Sequence, residues 1–239
     1  MIIRRLLIVA VASTTLAACH GSGSNPEAFR WTEPLPPGAV VHLLNGSGSI
    51  SVRPGTGNAV VVNGSTRWRR GSASDVRFVV NHRGNDYFVC AMWRASGRCD
   101  DRGYRGARTK SFLTMFSLLH RSSDAQAMFV AELPAGVAVE AQATNGAVDV
   151  NGVTAGVRAQ AVNGNVRATS VSGPIALRAM NGDVHVSADS LSPSDGILID
   201  ATNGGIFADL PASLQGAFDL RATNGSLRSD FAIAGDDVT

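Results

Sequence analysis

The chain has 239 residues, of which 44% are hydrophobic and 17% charged, enough for one or two domains with a real core. Its formal net charge of +2 conceals a split. Residues 66–121 carry 12 Arg or Lys against 4 acids, net +8, and residues 122–239 carry 5 against 13, net −8. The molecule is therefore expected to be bipolar rather than uniformly basic, and nucleic acid is not its expected partner.

The first residues have the parts of an export signal. Arg4 and Arg5 precede an apolar run from Leu6 to Val11, and small residues lead to a cleavage point. Leu16 to Cys19 match the lipobox of bacterial lipoproteins, in which the Cys sulfur is acylated and becomes the new N-terminus. That resemblance implies that Cys19 is a lipid anchor; the alternative is an ordinary signal peptide with a chance Cys.

We predict a signal peptide over residues 1–18 and a lipidated, flexible tether over residues 19–27, because His20 to Pro26 are rich in Gly and Ser. The apolar run is too short to be the only membrane span. His20 stands where some bacteria use Asp to retain a lipoprotein at the inner membrane. This position predicts a lipid-anchored envelope protein at the outer membrane, facing the periplasm or the surface.

Residues 28–129 are predicted to be an irregular β portion. Short strand-like runs are punctuated by Asn-Gly and Pro-Gly; they are Val40 to Gly46, Ser49 to Arg53, Ala59 to Asn63, Val76 to Val80 and Tyr87 to Ala91. Cys90 and Cys99 are the only cysteines that remain after lipidation. An oxidising envelope compartment makes a disulfide between them the default, and their spacing does not favour a metal or redox site.

The centre of the chain is rich in Arg and includes two Trp. A basic lobe could contact anionic polymer or lipid, with the indoles as stacking partners, or it could be only a solvated surface. The candidate contacts are Arg67, Trp68, Arg69, Arg70, Trp93, Arg94, Arg98, Arg102, Arg105 and Arg108. Apolar residues between Lys110 and Arg121 have helical spacing, which predicts a short amphipathic helix that caps a core or lies on a membrane.

An Asn-Gly dipeptide recurs five times in residues 130–235, at intervals of 18, 18, 22 and 21 residues. The copies are Asn145-Gly146, Asn163-Gly164, Asn181-Gly182, Asn203-Gly204 and Asn224-Gly225. Aligned on the Asn, the positions six, four and two before it and three and five after it are apolar in 24 of 25 cases. The positions five and three before it and four after it are polar or charged in 12 of 15 cases, the exceptions being Ala176, Leu198 and Phe207. The pattern predicts a β-strand on each side of every turn.

Asn-Gly between strands can also indicate a hairpin, but a period of 18 leaves little chain for the crossing to the next hairpin. We therefore predict an all-β fold in which each copy is one coil of a parallel β-solenoid, with about five regular C-terminal coils of 18–22 residues. Asn-Gly supplies the bend because both residues tolerate positive φ, and stacked Asn side chains can form a ladder. The second, looser corner of each coil is where a binding feature is expected.

The chain resembles a family of bacterial envelope proteins with a β-strand-repeat domain to which an adhesin role has been assigned. The resemblance is carried by Leu43 to Val52, by Val130 to Gly136, by the following series of Asn-Gly or Ser-Gly turns, and by Val89-Cys90 before a variable loop. It covers most of residues 28–235, and its motifs are structural. The resemblance implies the fold, and it carries over no functional residue.

Enzyme signatures are absent from the sequence: no phosphate-binding Gly-Lys-Ser loop, GxSxG or HExxH occurs. In aligned copies the outward charges alternate in sign, and Asp183 with His185 is a polar pair without a placed nucleophile. We predict no enzymatic activity, no cofactor and no metal. The leading hypothesis is an adhesin or scaffold for an envelope polymer or protein. The alternatives are a binder or sensor of anionic ligands that uses the Arg-rich lobe, and a glycan-active enzyme.

Overall fold

The computed structural model describes residues 22–93, 97–106, 124–192, 194–210 and 218–225. Cys19, Arg94, Arg108 and the predicted helix between Lys110 and Arg121 lie outside these ranges. Within the described ranges, no helix is long and apolar enough to cross a membrane.

Two eight-stranded sheets make up most of the described structure. The first sheet, sheet A, has the order β1 (Gly23–Pro34), β4 (Ala59–Trp68), β9 (Gln126–Leu133), β3 (Ile50–Pro54), β11 (Val148–Asn151), β13 (Val166–Ser172), β15 (Val184–Ser190) and β17 (Ile206–Asp209). The second, sheet B, has the order β18 (Phe218–Asn224), β16 (Ile197–Asn203), β14 (Ile175–Asn181), β12 (Val157–Asn163), β10 (Ala138–Asn145), β2 (Val40–Asn45), β6 (Asp86–Met92) and β5 (Arg77–Arg83). A small hairpin of β7 (Cys99–Asp100) and β8 (Gly103–Tyr104) stands apart.

From β10 to β18 the chain alternates between the two sheets, and each strand pairs in parallel with the strand two places later. Asn145 pairs with Asn163, and Asn163 with Asn181, so the repeats are in register. The prediction of an all-β fold with parallel strands is therefore confirmed. The hairpin interpretation of the Asn-Gly turns is wrong, because the arms on either side of each turn lie in different sheets.

The core lies between the sheets and is filled by the alternating apolar positions of the repeat. In the first four copies the residues six, four and two before the Asn are buried, and so are those three after it. The fifth copy differs, since Phe218 is 44% exposed and Leu220 and Ala222 are only partly buried. Period-two alternation thus places one face of each strand in a shared core, and β18 is less covered than the other repeat strands of sheet B.

The Asn-Gly corners are shaped by close stacking of backbone. A Cβ atom on Gly164 would lie 2.3 Å from the carbonyl oxygen of Gly146, and one on Gly182 would lie 2.3 Å from that of Gly164. The Asn residues do not use positive φ; among the described residues other than Gly, only Ser170 has one. The prediction that Asn adopts positive φ here was therefore wrong, whereas the predicted ladder of Asn side chains is confirmed.

The first part of the chain departs from the repeat. Strand β4 is antiparallel to both β1 and β9, and β5 is antiparallel to β6. Strand β1 begins at Gly23 and pairs with the end of β4, where the ring of Trp68 lies against Gly23. Residues 23–27, predicted as part of a flexible tether, are thus included in a strand because the end of β4 pairs with Gly23, Ser24 and Asn25.

The predicted disulfide between Cys90 and Cys99 is present. It holds the β7–β8 hairpin against the outer face of sheet B, where Leu44, Phe88 and Met92 form a second buried cluster with the two cysteines. The hydroxyl of Tyr104 donates to the carbonyl of Ala91 at 2.6 Å. This hairpin therefore covers an apolar patch that the two-sheet core leaves outside.

Candidate functional site

A groove with a volume of about 730 Å³ crosses the outer face of sheet B. Its lining comes from the first residues of β2, β6, β10, β12, β14, β16 and β18 and from the corners that precede them. Ala155, Gly156, Pro174 and Gly196 lie at these corners, and these small or compact residues leave the space open. Seven strands at about 4.8 Å spacing give a groove about 30 Å long.

One end of the groove is charged and centred on His42. The imidazole Nε2 lies 2.9 Å from Oδ1 of Asp86 on β6, and Nδ1 lies 3.3 Å from Oε2 of Glu140 on β10. The ring also stacks on Phe88, with centroids 4.4 Å apart. Both nitrogens face a carboxylate, which matches the doubly protonated imidazolium, because each nitrogen then donates.

The pKa values of this cluster follow from the same contacts. Burial lowers the pKa of His42, but the hydrogen bonds to Glu140 and Asp86 outweigh it, so the pKa is raised above 6.5. The hydrogen bond from His42 lowers the pKa of Glu140, against a smaller opposing effect of burial. Each carboxylate faces its own ring nitrogen, so the three groups do not converge on one point. Within the described residues, no group of His, Cys, Asp and Glu is arranged to hold a metal ion.

The other end of the groove has an apolar patch. Leu198 on β16 is 40% exposed on the outer face, beside Ala176 on β14 and Asp219 on β18. These residues were missed as site residues by the sequence analysis. A signal was present, since Ala176 and Leu198 were two of the three exceptions at the polar, outward positions of the repeat.

Charges on and beside the groove are arranged in pairs of opposite sign. Glu140 lies opposite Arg158 on the neighbouring strand, Arg178 Nε lies 3.2 Å from Asp200, and Asp219 accepts two hydrogen bonds from Arg221. The alternation of outward charges predicted from the repeat is thus formed across adjacent strands.

A ladder of Asn side chains borders sheet B at the ends of its strands. The Nδ2 of each Asn donates to the Oδ1 of the Asn in the preceding copy, at 2.8 Å for three steps and 2.9 Å for the last; the residues are Asn145, Asn163, Asn181, Asn203 and Asn224. Each step adds a side-chain hydrogen bond to the parallel pairing of the strands. The ladder makes this edge of the sheet regular, and we assign it a structural role.

The structure places the described Arg candidates in two exposed groups. Arg67, Arg69 and Arg70 lie at and beyond the end of β4, and Arg98, Arg102 and Arg105 lie on the segment of the β7–β8 hairpin. Acids accompany the second group: Arg98 lies 3.9 Å from Asp100, and Asp101 pairs with Arg83. The three Arg and two Asp of residues 97–106 leave that segment a net charge of only +1.

The two Trp candidates serve other contacts. Trp93 is half-buried against the core, and its Nε1 donates to the carbonyl of Ala125 at 3.0 Å. Trp68 is also half-buried and covers Gly23. Their indoles therefore have structural partners.

Asp183 and His185, the polar pair of the sequence analysis, also have structural contacts. The Asp183 carboxylate accepts a hydrogen bond from the backbone N–H of Gly205 at 2.8 Å, and the ring of His185 stacks on Phe207. Asp183 therefore binds the backbone of a neighbouring turn, and His185 packs on a neighbouring side chain.

Comparisons with known proteins give a distant likeness. No family model matches the chain, and no curated protein matches it. A solved structure of a "putative cell adhesion protein" from Clostridium sporogenes aligns over 83% of this chain and 97% of that chain, with 10% sequence identity and a TM-score of 0.44.

Proposed function

We propose that this protein is a non-enzymatic binding protein of the bacterial cell envelope, anchored through a lipid on Cys19. Its alternating sheets form a β-solenoid, and its groove on sheet B holds an extended partner, so that the protein acts as an adhesin or scaffold. The export signal and lipobox of the sequence support the location. The observation that carries the function is the groove itself.

Several features of the groove favour a binding role. It crosses seven strands in one direction, so an elongated partner can contact several strands in succession. Its wall is built on paired strands rather than on a loop, which fixes the positions of the contacting side chains. It contains both apolar side chains, Ala176 and Leu198, and hydrogen-bonding groups, of which Glu140 and Arg158 lie on adjacent strands.

Capture of a cell-envelope fraction by the full-length chain in detergent tests the proposal. Leu198→Lys fills the apolar end of the groove with a charged side chain, and Lys is chosen because Leu198 pairs with Asp219. Met180→Lys is the matched control, since Met180 is 46% exposed on the same sheet and does not line the groove. We expect Leu198→Lys to weaken capture by about tenfold or more and Met180→Lys to leave it unchanged. Equal capture by all three chains overturns the proposal.

A second candidate function is binding of an anionic polymer or lipid by the Arg-rich elements. The observation in its favour is the exposure of six Arg on two elements, of which Arg98, Arg102 and Arg105 share one short segment. Contacts of this kind weaken with ionic strength. The triple variant Arg98→Glu, Arg102→Glu, Arg105→Glu should then lose binding to lipopolysaccharide at low salt. Unchanged binding in this variant excludes the β7–β8 segment as the anion-binding surface.

A further inference from the structure

We propose that the ligand of the sheet B groove is an uncharged glycan chain that lies across the strands. This inference rests on the proposed function above, in which the groove is the binding site, and it adds the chemical class of the ligand. It depends on the charge pairing of the groove, on its hydrogen-bonding groups and on the apolar end.

The charges of the groove give little net field for a charged polymer. His42 is held between Asp86 and Glu140, Glu140 also faces Arg158, and Asp219 is held by Arg221. A polyanion would meet carboxylates at both ends, and a polycation would meet His42 and Arg158 between them. Binding of either would require separation of existing pairs, whereas an uncharged polymer leaves these pairs intact.

The same groups keep free capacity for hydroxyl and amide partners. A carboxylate has about four acceptor sites, and that of Glu140 accepts one bond from His42 and one from Gln142 at 2.8 Å. The guanidinium of Arg158 carries several N–H donors beside it. Sugar hydroxyl groups both donate and accept, so they can bind to this row of groups without adding charge.

The apolar end fits the carbon-bound hydrogens of a sugar ring. Leu198 presents exposed apolar surface at the groove wall, next to the small side chain of Ala176. Stacking on such side chains gives affinity through burial of apolar area. Because the groove crosses seven strands over about 30 Å, a linear chain of several sugars would contact both ends at once.

The test separates the glycan and protein components of the envelope. Full-length chain in detergent is titrated with envelope digested by protease and freed of lipid, and in parallel with deglycosylated envelope protein, each at low and high sodium chloride. We expect binding to the protease-digested material only. The dissociation constant should change less than about twofold with salt and rise about tenfold or more in Leu198→Lys, but not in Met180→Lys.

The outcomes distinguish this inference from the proposed function. Binding to the deglycosylated protein that is lost in Leu198→Lys keeps the groove as the binding site and overturns the glycan inference. Binding to the protease-digested material that weakens strongly with salt also overturns it, because the ligand is then a charged polymer. Capture of total envelope that is equal in Leu198→Lys and in the unaltered chain overturns both.

Discussion

Among the described residues between 138 and 225 the buried side chains are Val, Ile, Leu and Ala, whereas the preceding part of the chain also buries or half-buries aromatic rings. There Phe78 stacks on Phe29 with centroids 5.1 Å apart and meets the edge of Phe129 at 5.4 Å. The repeats can use small side chains because each strand pairs in register with an equivalent strand of the next repeat. The first part has antiparallel and parallel strands in one sheet, and larger rings fill the less regular space between them.

The comparison shows two ways of making a two-sheet core. In the repeats, stability is distributed over stacked backbone contacts that are nearly the same in every repeat unit. In the first part it is concentrated in a few large side chains and one disulfide. The following predictions test this comparison and are ordered from the largest expected effect to the smallest.

Gly164→Ala should have the largest effect. The new methyl group would lie 2.3 Å from the Gly146 carbonyl oxygen, which is backbone and cannot move aside without breaking the corner. We expect a loss of about 3 kcal/mol in the free energy of unfolding, measured with guanidinium chloride.

Gly196→Ala is the matched control, because Gly196 lies at the other turn of the repeat, between β15 and β16. Its added Cβ would meet no heavy atom within 4 Å, so its effect should stay within about 0.5 kcal/mol. If the two substitutions cost the same free energy, close stacking is not what requires Gly at the Asn-Gly corners.

Removal of the disulfide should weaken the first part and leave the repeats intact. The Cys90→Ala, Cys99→Ala variant frees a loop with a sequence separation of 9, which corresponds to about 2.5–3 kcal/mol in the loop-entropy description. Hydrogen exchange should show faster exchange in β5 and β6 and unchanged protection in β12 and β14. Faster exchange throughout the repeats would show that the two parts unfold as one unit.

Replacement of the Asn of an Asn-Gly turn should cost more free energy of unfolding in the first part than in the repeats. Asn45 is buried and donates to the carbonyls of Gly48 at 3.0 Å and Ala127 at 2.8 Å, so Asn45→Ala leaves buried acceptors and should cost about 1–3 kcal/mol. Asn181 is an exposed member of the ladder, and Asn181→Ala should cost about 0.5–1 kcal/mol because water replaces its partners. Thermal or denaturant unfolding measures both, and the reverse order would contradict this explanation.

The smallest expected effect is a pH dependence at His42, where β6 of the first part meets β2 and β10. Since the pKa of His42 is raised in the fold, its contribution to stability is present below about pH 6.5, its unfolded pKa, and is lost as pH rises through the folded value. Since the pKa of Glu140 is lowered, its contribution is present above its unfolded pKa and is lost as pH falls through the folded value.

Unfolding free energies of the unaltered chain and of His42→Gln, measured from acid to mildly alkaline pH, check this prediction. The difference between the two chains should shrink as pH rises above neutrality. A difference that is constant with pH would show that His42 contributes only by packing on Phe88.

The repeat and its inward positions could be predicted from the sequence because they depend on spacing within about twenty residues. The different role of Asn45 could not be predicted from the sequence. Asn45 pairs in register with Ala143 and not with Asn145, and one of its hydrogen-bond partners is 82 residues away. The His42 cluster depends on the strand order β6, β2, β10, which does not follow the chain. For the same reason the sequence could indicate only that a binding feature is expected at the looser corner. It could not indicate that a charged cluster lies at one end of the groove.

Because of the Asn ladder and the stacked glycines, the protein can change in length by whole repeat units. Successive corners repeat after 18, 18, 22 and 21 residues, and each presents the same backbone and side-chain partners to the next. If one complete unit were duplicated within the gene, the added unit would therefore fit into the stack with the contacts that the existing units already make. Each duplication would lengthen the groove by one strand spacing, about 4.8 Å, so the length of the groove can be adjusted in uniform steps.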